Sequence, residues 1–548
     1  MWNAQPAVAG RGVARADELS VAAATARWRA AFVTAFVLLG VIKLIIAMRL
    51  SPFGDEAFYW QESRRLAWGY SDLPPLTACL IRLGEALAGH GLLGMRWPFL
   101  LLGSGVPWLL VDFTRRLFDA RAGWQAGLLW LGLPLGGSLG VLALPDVPLT
   151  FAIMLALCAF AQALADDRWR HWLLLGAALA LAWVTHYRAA MPMLAGALML
   201  IGAASARRLW HRPRLWMALG VATLGLVPLV ISNWQQAGAG LIFQLIERHP
   251  WHFHADALVQ PLEQALACTP LLYGLLLWAL WRCWQRRGDG ASWDWLALFA
   301  ATFLLGYLVL GLFADDLRFR VHWPLPGYLP LVAVLPVLLR QSVNAHRGWR
   351  RALLICSFTL AGLGQLAGMG YLALAASRQD VTWLAGVKAF PSLFVGWRES
   401  AQASEALLAD RSKPASVLVA DNFMLAAELD FQLNGRVPVF ALDSPLNHVH
   451  GRAPQLAIWQ LDEAGLRRLY AGRPMLLVVD ETALRERQRL AWLGSLCGRI
   501  VDAQPAQRLE LFAARRRFAF YRGTVPSVTA VMAVPSTSCV IWQRAQVR

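Results

Sequence analysis

Charge is scarce in this 548-residue chain: 16% of its residues are Asp, Glu, Lys or Arg, while 57% are hydrophobic. A mean hydropathy of +0.46 is too apolar for a soluble protein and points to many membrane spans. Other signatures are missing too. No strand-like run is followed by G-x-G-x-x-G or G-x-x-x-x-G-K-[ST], so there is no nucleotide fingerprint. The seven cysteines show no C-x-x-C or Cys/His spacing, hence no metal signature. No N-x-[ST] sequon occurs, which favours a bacterial inner membrane over a secretory-pathway home. No small-residue cleavage site follows the first apolar run, about Ala30 to Met48, so that run reads as a retained span rather than a signal peptide. No inverted repeat relates the two halves and no ion-like cluster lies in mid-span. Lys43, near the outer end of the first span, is expected to snorkel. The formal charge of +17 suggests nucleic acid at first sight, but the excess is nearly all arginine in short loops, as topology signals are, and nucleic-acid binding is set aside.

What is present is a succession of apolar runs. After the first they lie at about 94–112, 123–143, 147–164, 172–186, 189–205, 215–232, 264–281, 295–313, 325–339 and 352–376. This predicts a mainly α, polytopic membrane protein of about eleven transmembrane helices, with a loose cytoplasmic tail at 1–28 and longer outer loops at 50–93 and 233–263. Arginine fixes the threading. The loops TRRLFDAR, DRWRH, RRLWHRPR, RCWQRR and RQSVNAHRGWRR hold 16 arginines, whereas the alternate set, in much longer loops, holds eight. By the positive-inside rule the first set is cytoplasmic and the opening loop faces outward. An odd number of spans then places residues 377–548 outside as well. That stretch contains the strand-like runs SVLVAD (416–421), VPVFALD (437–443) and MLLVVD (475–480), separated by helical patterns such as FMLAAELDFQL, and reads as a small α/β domain. Asp421, Asp443 and Asp480 end those strands, where capping of the next helix competes with ligand binding. Cys497 and Cys539 fall in this part and could pair in an oxidising compartment.

The outward segments carry the chemistry. In DEAFYWQESRRLAWGYSDLPPL (55–76), Asp55, Tyr59 and Glu62 stand at i, i+4 and i+7 and share one helix face, while Phe58, Trp60 and Trp68 suit the membrane interface. Asp55 on such a helix serves either chemistry at lipid headgroups or the capping of its own helix, with Glu56 favouring the N-terminus. ALPDVPL holds Asp146 between two prolines. VTHYR brings His186, Tyr187 and Arg188 to the outer end of one span, and DDLRFRVHWPLPGY brings Arg318, Arg320, His322 and Trp323 to that of another. Single charges at helix ends are usually topology markers or snorkelling groups. Carboxylates and cations gathered on one side fit glycosyl transfer from a lipid-linked sugar: a hydroxyl acceptor needs a carboxylate base, and a departing phosphate needs Arg, His or Lys. The rivals are a multi-span lipid or glycan transporter or flippase, which predicts repeats, broken spans and midplane polar groups, and a non-enzymatic binding protein that uses the α/β domain.

The stretch GDEAFYWQESRRLAWGYSDLPPLTACLIRLG resembles the first-loop signature of bacterial GT-C glycosyltransferases related to the protein O-mannosyltransferases and the lipid A aminoarabinose transferase. The likeness continues in LPDVPL (144–149), ISNWQQAGAGLIFQLIERHPW (231–251), HWPLPGYL (322–329) and GWRE (396–399) ahead of LAAELDFQL (425–433). It implies a GT-C membrane core with an extracytoplasmic active site and a terminal soluble domain. It also implies an inverting transfer from a polyprenyl-phosphate sugar to a lipid, glycan or protein acceptor. The family's first-loop Asp falls on Asp55, with Glu56 beside it, and its second-loop Asp on Asp146. Where relatives often carry Lys before Tyr, this chain has His186, followed by Tyr187 and Arg188, which leaves Arg188 for the cationic role. Tyr59, Glu62, His186, Tyr187, Arg188, Arg248, Arg318, Arg320 and His322 are the expected substrate-binding residues. No metal cage is evident, although Asp55 and Glu56 together could bind a divalent cation.

Overall fold

The computed structural model describes residues 9–248, 251–290, 292–313, 321–343, 348–377, 381–412, 415–483, 486–527 and 541. All the apolar runs are wholly or largely helical. Among the described residues, seven helices are long and apolar enough to cross a membrane, or nine if each of two bent pairs is one span. The departures from the expected runs have local causes. The helix Ala120–Gly132 stops at Leu133 ahead of Pro134, inside the run expected at 123–143. The run at 264–281 breaks where Thr269, at φ +66°, is followed by Pro270, and the two helices there meet at a bend of 110°. The backbone is already helical from Ala9, so much of the expected loose tail extends the first long helix, Ala9–Arg49.

Lys43 does not snorkel. It is buried, and its Nζ donates to the carbonyl of Leu139 at 2.5 Å, tying the first helix to the turn before Asp146. A second lock sets the start of the first loop. Arg96, in the helix Leu92–Leu117, donates to the carbonyls of Ala47 (3.0 Å), Leu50 (2.7 Å) and Ser51 (3.2 Å), which close the first long helix. Its remaining donors grip Glu56 at 2.8 and 2.6 Å, and both side chains are fully buried. Glu56 also accepts from the backbone N–H of Ala143 (2.6 Å) and of Phe53 (3.0 Å), the residue that precedes the next helix. The helix Gly54–Arg64 therefore leaves the membrane helices at a fixed angle.

The C-terminal part builds a five-stranded sheet: β1 (Val417–Ala420), β2 (Val439–Ala441), β3 (Pro474–Asp480), β4 (Val501–Leu511) and β5 (Arg516–Thr524), in the order β2-β1-β3-β5-β4. β1 pairs in parallel with β2 and β3, while β5 runs antiparallel between β3 and β4. The three expected strands are β1 to β3. Asp421 and Asp443 do not cap the helices that follow them: Asn422 caps Phe423–Gln432 and Ser444 precedes Pro445–Val449, while Asp421 is buried and accepts from Trp492 (3.3 Å), Asp443 pairs with His448 (2.7 Å) and Asp480 with Arg516 (3.0 Å). Cys497 is disulfide-bonded, and Cys539, its expected partner, lies outside the described residues.

This domain sits directly on the first loop. Gly54 approaches the helix Phe423–Gln432 so closely that a Cβ would lie 2.8 Å from Cγ of Met424. Gln61 donates to Asp430 (2.8 Å), and Trp60 packs edge-on to Phe431, while Phe58 packs against Phe423 and Trp459. Phe58 and Trp60, expected in the membrane interface, are instead fully buried in this seam, and only Trp68 remains exposed.

Because Arg96 and Glu56 are buried as a pair, removing one partner strands the other charge. Arg96→Met is expected to cost about 3–5 kcal/mol, read as a lower unfolding temperature in detergent, and Glu56→Gln to lower that temperature in the same direction.

Candidate active site

The site grows from the first turn of Gly54–Arg64. Phe53 is the N-cap residue, and Glu56 at the third helical position accepts from its backbone N–H at 3.0 Å. Neighbouring helix residues diverge by about 100°, which sends Glu56 into the Arg96 lock and Asp55 toward the seam. Its carboxylate, 21% exposed, lies 3.2 Å from Nη2 of Arg452 and 3.9 Å from Nδ1 of His450. The same guanidinium places Nη1 2.5 Å from Asp72 and 3.5 Å from Glu62. Arg452 is buried over the rings of Phe58 (4.3 Å) and Tyr59 (5.0 Å). It is held from both sides, because Ser71 donates its hydroxyl to the carbonyl of Gly451 (2.6 Å) and its N–H to Gln455 (2.9 Å).

Burial shifts the two inner carboxyls of this cluster unequally. Burial, then the neighbouring Asp72, pushes the Glu62 carboxyl well above the usual carboxylate range, with Arg452 opposing. Asp72 is also raised by burial, less strongly, because Arg452 pulls it back. Burial alone would lower the Arg452 pKa, but Asp72, Tyr59, Asp55 and Glu62 together raise it. Of these two buried carboxyls, Glu62 is the one pushed further toward its protonated form.

A second cluster forms at the N-terminus of the helix Asp146–Asp166. Asp146 Oδ1 accepts from Arg188 at 2.8 Å and lies 3.4 Å from Nε2 of His322. The guanidinium groups of Arg188 and Arg248 both lie over the ring of Trp323, at 5.4 and 4.9 Å. The two clusters are joined by the segment after Ser232. Asn233 donates to the Tyr187 hydroxyl (3.0 Å), Gln236 to the carbonyl of Gly69 (2.9 Å) and Gln244 to that of Asp72 (2.8 Å). Gly240 fits there because a Cβ would sit 2.2 Å from the Tyr187 hydroxyl. Arg248 donates to Gln244 (3.3 Å) and is close enough to Asp72 to lower its pKa. Residues from 55 to 452 thus converge at one end of the helices. The arginine-rich loops meet elsewhere, in the pairs Asp119 with Arg340 and Asp167 with Arg212 and Arg214.

Of the residues singled out in the sequence, Asp55, Glu62, Asp146, Arg188, Arg248 and His322 come together. Tyr59 is buried beneath Arg452, and Tyr187 is engaged with Asn233. His186 is also buried, and its Nδ1 accepts from the Arg188 N–H at 3.0 Å, so it shapes the turn that aims Arg188. Arg318 and Arg320 lie outside the described residues. The catalytic reading of Glu56 is corrected: its oxygens are committed to Arg96 and two backbone N–H groups, and it does not converge with Asp55 on a shared cation position. Among the described residues no group of three or more His, Cys, Asp or Glu is arranged to hold a metal ion. Arg452, Asp72 and Gln244 were missed. Asp72 had a signal in its place within YSDLPPL; Arg452 had none.

The family model for Dolichyl-phosphate-mannose-protein mannosyltransferase matches residues 72–232, the stretch holding Asp72, Asp146 and Arg188. A lipid A galacturonosyltransferase of Rhizobium johnstonii is 24% identical over 390 residues, 70% of this chain and 77% of its own. The crystal structure of ArnT from Cupriavidus metallidurans bound to undecaprenyl phosphate superposes with a TM-score of 0.60 at 17% identity, covering 92% of this chain and 99% of that one. Its apo state gives 0.59 at 15% identity, with the same coverage. The chain shares the ArnT-like GT-C fold, with several helices apolar enough to cross a membrane, and its likenesses in sequence are to glycosyltransferases.

A carboxyl whose pKa is raised on folding stabilises fully below its unfolded value, and that contribution is lost as pH rises through the folded value. Glu62 therefore makes the seam weaken as pH climbs from the ordinary glutamate value of 4.5 toward alkaline conditions. Unfolding temperatures measured across about pH 5 to 9 should fall with pH in the parent, and Glu62→Gln should flatten the fall.

Proposed function

We propose that this protein transfers a sugar from a polyprenyl-phosphate donor to an acceptor hydroxyl at the extracytoplasmic face of a bacterial inner membrane, with inversion at the anomeric carbon. The observation that carries this reading is the continuous chain of contacts from the partly open carboxylate of Asp55 to the cations around Asp146. In one displacement Asp55 takes the proton of the acceptor hydroxyl as its oxygen bonds to the anomeric carbon. The bond from that carbon to the phosphate oxygen breaks, and its electron pair leaves on the polyprenyl phosphate. Arg188, Arg248 and His322 stabilise the growing negative charge. Asp146 orients Arg188 and His322 for that task. No covalent nucleophile is required.

The donor class is supported by the relative bound to undecaprenyl phosphate, and a glycolipid acceptor by the lipid A galacturonosyltransferase relative. The sidedness rests on arginine distribution, and a disulfide at Cys497 in the same docked domain fits an oxidising compartment. That orientation puts the N-terminus in the cytoplasm and the C-terminal domain in the periplasm.

Purified protein given an undecaprenyl-phosphate-linked sugar and envelope glycolipid should yield glycosylated lipid and free undecaprenyl phosphate by mass spectrometry. A lipid flippase would move the donor between leaflets and release neither product. Asp55→Asn and Asp146→Asn should each reduce transfer roughly 10²- to 10⁴-fold while eluting as folded protein. Parent-level transfer by Asp55→Asn excludes it as the base.

A further inference from the structure

We propose that Arg452 is a positioning residue for glycosyl transfer, reaching from the C-terminal domain to aim the Asp55 carboxylate at the acceptor hydroxyl. The inference rests on the reading of Asp55 as base and adds what holds that base in place. The guanidinium fork is divided between two duties. Nη1 is ion-paired with Asp72 at 2.5 Å, with Glu62 at 3.5 Å, while Nη2 donates to Asp55 at 3.2 Å. The plane of the fork is set by the rings of Phe58, Tyr59 and Phe423, at 4.3, 5.0 and 5.7 Å. Its backbone is fixed as well: the Arg452 N–H donates to the Asn447 carbonyl at 2.7 Å, and Ser71 grips Gly451 and Gln455 on either side.

Exposure separates the roles. The Arg452 side chain is 3% exposed and the Asp55 side chain 21%, so the cation is walled in while the carboxylate keeps an open flank. A counterion needed only to neutralise Asp72 would have no reason to present its second nitrogen to the one carboxylate of the three that opens outward. A lysine has a single point of charge and cannot both anchor and aim. The soluble domain thereby becomes part of the reaction centre, and a site split across the seam is complete only when the domain is docked.

The test compares the parent with R452Q, R452K and the double variant R452Q/D72N, in which one buried cation and its nearest anion are removed together. With undecaprenyl-phosphate-linked sugar, R452Q should lose roughly 10²-fold in kcat with KM for the donor nearly unchanged. The acid limb of its pH profile should move up by about one unit. R452K should restore the limb but only part of kcat. Independently of transfer, the pH midpoint for carbodiimide labelling of Asp55, followed by peptide mass spectrometry, should rise in R452Q. If R452Q does not fold, the double variant carries the same expectations. Parent-like kcat, pH limb and labelling in whichever of the two folds overturns the proposal. A parent protein that transfers no sugar refutes the functional reading instead, and the labelling midpoint then still decides whether Arg452 governs Asp55.

Discussion

The burial of Glu56 against Arg96 is the constraint on which the rest of the architecture leans. An arginine fully out of water must spend its donors on good acceptors, and here they are three helix-end carbonyls and one carboxylate. That geometry fixes where the first membrane helix ends and where Gly54–Arg64 begins. It also settles which of two adjacent acids faces inward. Once Glu56 is taken, Asp55 turns to the seam, Gln61 meets Asp430, and Trp60 and Phe58 pack against the helix Phe423–Gln432 and its neighbours.

The seam is polar where the bundle is apolar. Glu62, Asp72 and Arg452 are all but inaccessible to water, and Glu428 is fully buried in the docking helix with its carboxyl pushed well up by burial and by Glu56. Such groups cost free energy unless matched, so a domain carrying them fits its partner in one position and penalises others. Specific docking, rather than large stabilisation, is what the arrangement supplies. The segment from Ser232 to Arg248 extends it by tying the first loop to Tyr187 and the cations beside Asp146.

Much of the fold was readable in the sequence because hydrophobic periodicity is a local property. The apolar runs became helices, and SVLVAD, VPVFALD and MLLVVD became β1 to β3. β4 and β5 escaped because VDAQPAQRLEL is mostly solvent-facing and its partner RRFAFYRGT is rich in arginine, so neither shows a clean apolar alternation. Span continuity was overread at Pro134 and Pro270, where a run remains apolar while the backbone turns. The site was readable to the extent that its residues lie in the first loop or at helix ends. Glu56 was misassigned because adjacency in sequence conceals divergence on a helix. Lys43 was misassigned because the carbonyl it finds, on Leu139, is 96 residues away. Arg452 was invisible for the same reason: a lone arginine between short helices has no local pattern that marks it as buried among acids.

Asp55 and Arg452 are 397 residues apart, and Gln61 and Asp430 are 369 apart. A ribosome therefore finishes the first loop long before the segment that covers it exists, and contacts so distant along the chain are the last to close. During that interval the proposed base is without its guanidinium partner. Under the proposed function, transfer would then have to wait until the C-terminal domain has been made and docked.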